Sequence, residues 1–143
     1  MRNIKFKYLL LFIVLSFSSF AQDIKLKKGE IIVDDSIWLN YRDCGAFEST
    51  CSLLNLKNEE IIFIKFATVQ DDDAVSLSNL KGTVGYVQIS FLGLKKKIEI
   101  QKRQKDCIKI LYNSKVVNID GSLNEEKVDL LFEKYGKGFS NRY

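Results

Sequence analysis

Between residues 23 and 102, apolar and polar residues alternate in short runs that turn-forming residues separate. Successive side chains of a β-strand point to opposite faces, so each run predicts a strand with one apolar face. The predicted strands are 24–27, 31–33, 37–42, 53–56, 61–69, 86–91 and 97–102. Short connections such as Lys28-Gly29-Glu30 and Asp34-Asp35-Ser36 favour an antiparallel, meander-like sheet.

Two of these strands give the strongest pattern. The run 61–69, with the sequence IIFIKFATV, is apolar at both alternating sets of positions except at Lys65. Such a run is typical of a central strand that is covered on both faces. Gly93-Leu94-Lys95 predicts a turn between 86–91 and 97–102, and these two strands form the clearest hairpin in the sequence.

After residue 104 the hydrophobic period becomes that of a helix. Ile108, Leu111 and Tyr112 fall at helical spacing, and Asp106 is the predicted N-cap of this first helix. A second helix is predicted beyond Ser122, because Ser122 and Glu125 form the capping-box pattern that satisfies free amide groups at a helix start.

The second helix carries a single apolar stripe, which predicts that it packs on the sheet. The stripe consists of Val128, Leu131, Phe132 and Tyr135. Gly136 is predicted to end the helix in the left-handed conformation. The predicted fold class is therefore α+β, an antiparallel meander-like sheet of five to seven strands with one or two C-terminal helices packed on it.

Residues 1–21 have the pattern of a secretory signal peptide. A basic stretch, MRNIKFK, precedes the apolar run at 8–15, and Ser19-Phe20-Ala21 places small residues where a signal peptidase cleaves. The apolar part is shorter than the roughly 20 residues that span a bilayer, which disfavours an uncleaved anchor. We predict cleavage before Gln22, which leaves 22–143 as one α+β domain without a stable membrane anchor. This domain is expected in the periplasm, at the cell surface or in the medium.

The three cysteines are Cys44, Cys51 and Cys107. A zinc site made of cysteines alone needs four, and no C-x-x-C spacing is present, so neither zinc binding nor dithiol redox chemistry is predicted. Thiols pair in an oxidising compartment, and a turn between Cys44 and Cys51 would bring them within disulfide distance. We predict a Cys44–Cys51 disulfide. The alternative is that one of the two pairs with Cys107.

The residue types exclude several kinds of catalysis. The chain has no histidine, which removes the Ser-His-Asp triad, the Cys-His dyad and histidine metal sites. The acidic clusters Asp34-Asp35, Glu59-Glu60 and Asp71-Asp72-Asp73 are predicted to be solvated turns rather than catalytic pairs or calcium ligands. The stretch DGSLNEEKVDLLF resembles the second half of an EF-hand loop and its exit helix, with Gly121 at the invariant glycine. In that alignment Val116 and Lys127 fall at the first and last ligand positions, where neither side chain can bind calcium, so no calcium site is predicted. We therefore predict no catalytic residue, no metal and no other cofactor.

The charge of the chain argues against a nucleic-acid partner. The formal net charge is +4, but residues 1–21 supply three of the basic residues and no acid, so the remaining domain is almost neutral. Nucleic-acid binders carry strongly basic, clustered surfaces. The one basic stretch, KKKIEIQKRQK from Lys95 to Lys105, favours an edge strand that lysines protect against aggregation over a site for an anion.

The segments KGEIIVDDSIWLNY, LNLKNEEIIFIKF and IDGSLNEEKVDLLFEKYG, with the hairpin between the last two, resemble small exported bacterial proteins that lack an assigned function. The resemblance covers most of the domain and rests on general patterning, so it implies no site residue.

Three functions are open at this point. The first is a non-enzymatic binding or structural module of the periplasm or cell surface, whose partner is a protein or a small molecule. Its candidate contact residues are Phe47 and Glu48, in the loop between Cys44 and Cys51. The second is an inhibitor of a secreted enzyme that acts through the same loop. The third is a carboxylate-dependent hydrolase.

Overall fold

The computed structural model describes residues 23–45, 47–136 and 138. The predicted signal peptide at 1–21 lies outside these residues. Within them, seven antiparallel strands form one sheet, and their order across the sheet is their order along the chain. The strands are β1 (Ile24–Lys27), β2 (Glu30–Val33), β3 (Ser36–Arg42), β4 (Thr50–Leu54), β5 (Glu60–Gln70), β6 (Thr83–Phe91) and β7 (Lys96–Ile100). The predicted α+β meander is confirmed.

Two described helices follow the sheet, α1 (Gln104–Asn113) and α2 (Glu125–Tyr135). They cover one face of the sheet, which we call the core face. Its central residues are Ile62 and Ile64 of β5, Val87, Ile89 and Phe91 of β6, and Ile98 and Ile100 of β7. Cys107, Ile108 and Leu111 of α1 and Val128 and Leu131 of α2 are buried in the same cluster. The core therefore lies between the sheet and the two helices.

The prediction that the longest strand is covered on both faces is wrong. Ile62 and Ile64 are buried, but Ile61 and Phe63 on the other face are half-buried, and no residue of β5 from Lys65 onward is buried. Pairing between β5 and β6 continues as far as Gln70 and Thr83. The outer half of β5 thus extends past the core, and its apolar residues remain accessible there.

The first helix starts differently from the prediction. It begins at Gln104 after Arg103, which caps it without a side-chain hydrogen bond. Asp106, the predicted N-cap, lies in the first turn instead, where its Oδ2 is 2.9 Å from the Nε of Arg103. The aspartate therefore serves the helix start through its negative charge and an ion pair rather than as a cap.

The second helix is capped by Asn124, whose side chain accepts a 3.1 Å hydrogen bond from the amide of Lys127. The predicted cap, Ser122, lies in the preceding turn and donates to Asp120. Gly136 has φ −72°, so the predicted left-handed ending is wrong as well. The predicted stripe is confirmed at Val128 and Leu131, which are buried, and at Tyr135, which is half-buried and packs against the core, but Phe132 is exposed.

The lysine-rich strand β7 lies last in the order of the described strands, as its pattern predicts. The Lys96 side chain binds the Asp129 carboxylate of α2, and the Glu125 carboxylate lies 3.8 Å from it. Glu99 of β7 is buried and accepts a 3.0 Å hydrogen bond from the Gln88 side chain of β6. This edge of the sheet is thereby fixed both to α2 and to β6.

Candidate functional site

A disulfide joins Cys44 to Cys51 and closes the loop between β3 and β4. The predicted pairing is confirmed, and the two Cα atoms lie 4.3 Å apart. Cys51 is fully buried and pairs with Ile64 in the β4–β5 ladder. The amide of Phe66 also donates a 2.7 Å hydrogen bond to the carbonyl of Ser49. Both the disulfide and the sheet therefore hold this loop.

The disulfide loop presents the two candidate contact residues at the surface. Phe47 has a relative exposure of 103%, which means that its ring has no cover from the described structure. Glu48 is also exposed, and its amide donates to the carbonyl of Gly45 at 3.2 Å, which closes a local turn. A large apolar side chain in such a position is available to a partner.

The disulfide loop forms one wall of an open cleft of about 650 Å³, which we call the loop cleft. Strands β5 and β6 and the segment that leads into α1 form its other walls. The residues that matter for its chemistry are Phe47, Glu48, Phe66, Gly85, Lys102 and Arg103. The volume lies in the range of roughly 300–1,000 Å³ that is usual for ligand pockets.

Phe66 gives the loop cleft an apolar surface next to the core. The side chain is 53% exposed and lies over Gly85 of β6, where an added Cβ would come within 2.8 Å of the ring Cζ. The ring therefore occupies the space that a side chain at position 85 would need. Ile64 and Val87, which are buried, also line the cleft, so its apolar surface continues into the core. Sequence reasoning missed Phe66 because its run is typical of a covered strand.

Charges of both signs surround this apolar surface. Lys102 and Arg103 are exposed on the segment before α1, and Glu48 is the only carboxylate among the described residues that line the loop cleft. The hydrogen bond from Arg103 keeps the pKa of the Asp106 carboxyl below its usual range. Part of the Arg103 charge is thus already matched within the protein, and Lys102 is the more available cation.

Among the described ranges, no three His, Cys, Asp or Glu side chains come together in a way that could hold a metal ion. The loop cleft therefore offers an apolar surface, backbone groups and a few charges to a ligand. This composition, largely apolar with a small number of polar groups, is typical of a binding site.

The third cysteine lies away from the loop cleft. Cys107 of α1 is a free, buried thiol in the core, so the alternative pairing with Cys107 is wrong. Burial raises the pKa of this thiol to about 12, and the neighbouring Asp106 charge adds to the effect. The thiolate is the reactive form of cysteine, and at neutral pH almost none is present at this position.

We therefore expect Cys107 to resist thiol reagents in the folded protein. At mildly alkaline pH, labelling with a disulfide reagent should be at least about a hundredfold slower in buffer than in denaturing urea, because both burial and the raised pKa remove reactive thiolate. Absorbance of the released thiol measures the rate. Fast, stoichiometric labelling without denaturant would show that α1 does not pack on the sheet as described.

No family model, no curated protein and no solved structure gives a significant match to this chain. Within 23–45, 47–136 and 138, no helix has the length and apolar character needed to cross a membrane.

Proposed function

We propose that this protein is an exported, non-enzymatic binding module that takes up an apolar group of a partner in the loop cleft. The observation that carries the proposal is the fully exposed Phe47 on a disulfide-closed loop, beside the half-exposed Phe66. Exposed apolar surface rimmed by polar residues marks interaction sites, and aromatic side chains are enriched among those that dominate binding energy.

The location outside the cytosol is part of this proposal. A structural disulfide is compatible with an oxidising compartment, since cytosolic thiols are kept reduced. The signal-peptide pattern of residues 1–21 predicts the route by which the chain would reach it.

The closed loop also lowers the cost of binding. A loop that is ordered before its partner arrives loses less conformational entropy when the complex forms. The disulfide holds one end of the loop on buried Cys51, and the Ser49–Phe66 hydrogen bond holds the same end on β5. Phe47 is therefore displayed by a constrained segment rather than by a free one.

The inhibitor function is a second candidate, which the complete exposure of Phe47 favours. In that case Phe47 would enter a pocket of the target enzyme, and Phe66 would contribute little to the complex. In a binding module, by contrast, the ligand would contact both rings. The hydrolase function stays a prediction. A carboxylate-dependent hydrolase needs two acidic side chains, and Glu48 is the only carboxylate among the described residues that line the loop cleft.

Capture of a partner from a cell-envelope extract of the producing organism tests the proposal. Phe47→Ala should reduce the captured partner by about tenfold or more, because loss of a central aromatic contact often weakens binding by over 1.4 kcal/mol. Leu77→Ala is the matched control. Leu77, 99% exposed in the β5–β6 loop, lies outside the loop cleft, so this variant should retain the partner.

Phe66→Ala separates the two candidate functions. A loss of capture with both Phe47→Ala and Phe66→Ala supports uptake in the loop cleft, whereas a loss with Phe47→Ala alone supports insertion of the loop into a target. Equal capture by wild type, Phe47→Ala and Phe66→Ala would contradict both, because neither ring would then contribute to binding.

A further inference from the structure

A second open cleft, of about 730 Å³, lies at the opposite end of α1 from the loop cleft. We call it the tryptophan cleft, because Trp38 and Tyr112 form its aromatic wall. The loop cleft reaches Gln104, the first residue of α1, and the tryptophan cleft reaches Asn113, the last. The helix is about 15 Å long at 1.5 Å per residue, and the two clefts share no lining residue. Occupancy of one does not require the other.

The aromatic wall joins the sheet to the helix layer. The ring centroids of Trp38 and Tyr112 are 5.1 Å apart with an interplanar angle of 87°, the edge-to-face arrangement that aromatic pairs prefer. Both side chains are half-buried. The wall therefore has a defined geometry and leaves aromatic surface accessible.

A β-bulge directs Trp38 toward this cleft. Ile31 pairs with Leu39, but Ile32 pairs with Ile37, so Trp38 is the extra residue in β3. The sequence predicts that Ile37 and Leu39 share an apolar face, yet Ile37 is exposed and lines the cleft. Bulges re-orient side chains and are enriched beside functional sites. The irregularity thus places two large side chains, Ile37 and Trp38, at one opening.

The far rim of the cleft is a rigid turn that displays Ile119, which is fully exposed. The side-chain Nδ2 of Asn118 donates a 3.0 Å hydrogen bond to the Ser122 hydroxyl, and the backbone N–H of Asn118 donates a 2.8 Å hydrogen bond to the Ser122 backbone carbonyl. Gly121 has φ +86°, and an added Cβ would lie 2.9 Å from the Cβ of Asn55. The turn is therefore hydrogen-bonded internally and seated closely on the turn that Asn55 begins.

Asn55 itself is buried and organises the turn between β4 and β5. Its side-chain oxygen accepts 3.0 Å hydrogen bonds from the amides of Lys57 and Glu59, and its amide group donates to the Glu59 carboxylate at 2.7 Å. The rim that holds Ile119 thus rests on a buried polar side chain that makes three hydrogen bonds. A preformed rim reduces the ordering cost of binding a ligand.

The charges around the tryptophan cleft are mainly positive. Lys57, Lys115 and Lys127 line it, and Asp120 is the only carboxylate among its described lining residues. Asp120 accepts from the amide and the hydroxyl of Ser122 at 2.9 and 2.6 Å, so one of its oxygens is already engaged. The Nζ of Lys127 is 3.6 Å from a carboxylate oxygen of Glu126, and the Lys57 charge acts on the Asp120 carboxylate, whereas Lys115 has no ion pair among the described contacts.

We propose that the tryptophan cleft binds a small organic anion with an apolar body. The acid group of the ligand faces the lysines, and its apolar part packs between the aromatic wall and Ile119. The volume suits a small molecule, and the combination of an apolar surface with mainly positive charged groups selects for an amphipathic anion. The tryptophan cleft is separate from the loop cleft, and this proposal does not depend on the function proposed for the loop cleft.

The single tryptophan of the chain makes the test direct, because its fluorescence reports this cleft alone. Octanoate, titrated into the purified oxidised protein at neutral pH, should shift the Trp38 emission saturably, with a Kd of about 1 mM or below. Octanol, its uncharged counterpart, should bind at least about fivefold more weakly, because it makes no ion pair with the lysines.

Two double variants with equal loss of charge complete the test. Lys115→Gln with Lys127→Gln should weaken octanoate binding about fivefold and leave octanol binding unchanged. Lys95→Gln with Lys97→Gln removes two exposed cations outside the cleft and should change neither. The proposal is overturned by the absence of a saturable Trp38 response, by equal affinity for octanol, or by equal effects of the two double variants.

Discussion

Replacement of Phe91 by alanine is expected to lower the free energy of unfolding by about 3–5 kcal/mol. Phe91 is 1% exposed and has the largest side chain among the fully buried residues that the structure describes. It pairs with Ile62 of β5 and Lys96 of β7 on the core face, beneath the helices. The loss combines the transfer free energy of the ring with the cavity that the rigid surroundings leave. Urea unfolding, followed by far-ultraviolet circular dichroism, measures it.

Phe66→Ala is the matched control for this experiment. The substitution is identical and lies on a neighbouring strand, but Phe66 is half-exposed beyond the core. We expect a loss of about 1 kcal/mol or less, in the range of substitutions at accessible sites. Equal losses for the two variants would show that the helices do not cover the core face at Phe91.

Reduction of the Cys44–Cys51 disulfide is expected to destabilise the protein by about 2.5 kcal/mol, because it restores the chain entropy of an eight-residue loop in the unfolded state. The unfolding midpoint in urea, with and without a thiol reductant, measures the change. Capture of the partner by the loop cleft should also decrease, since Phe47 is then no longer constrained. Octanoate binding at the tryptophan cleft should not change, as that cleft contains no residue of the disulfide loop.

The double variant Cys44→Ala, Cys51→Ala controls for the remaining thiol. Reductant should have no further effect on this variant, because Cys107 is already a free thiol. An unchanged midpoint for the reduced wild-type protein would contradict the disulfide as a source of stability. A further decrease in the double variant would instead assign the effect to Cys107.

Local signals in the sequence predicted most of the sheet. Asp34 and Asp35 both have positive φ, as a two-residue hairpin turn requires, and aspartate tolerates that conformation better than most residues. The turn at Gly93 and the alternation in β6 and β7 likewise depend only on neighbours in sequence, so the hairpin was predicted correctly. These elements are set by turn chemistry and by side-chain period.

The sequence-based predictions are wrong where contacts between distant segments decide which of several locally possible caps or strand registers forms. Ser122 has the residue type of a cap, but its backbone and hydroxyl are used within the turn that precedes α2, so Asn124 becomes the cap. The bulge at Trp38 depends on the register between β2 and β3, which the alternation of β3 alone does not determine.

The candidate sites likewise contain some features that one short segment determines and others that require the packing of distant segments. The Cys44–Cys51 pairing and the exposure of Phe47 were predictable, because they belong to one short loop. The placement of Phe66 over Gly85 requires the β5–β6 register. The aromatic wall of the tryptophan cleft brings together β3 and α1, which are far apart in sequence, so no local sequence pattern predicts it.

Mass spectrometry of the protein recovered from its producing cells tests most directly whether it works outside the cytosol with its disulfide loop closed. We predict an N-terminus at Gln22, a covalent link between the peptides that contain Cys44 and Cys51, and a free thiol at Cys107. A chain that retains Met1 and carries three reduced cysteines would contradict both the export of the protein and the constrained loop on which its proposed binding depends.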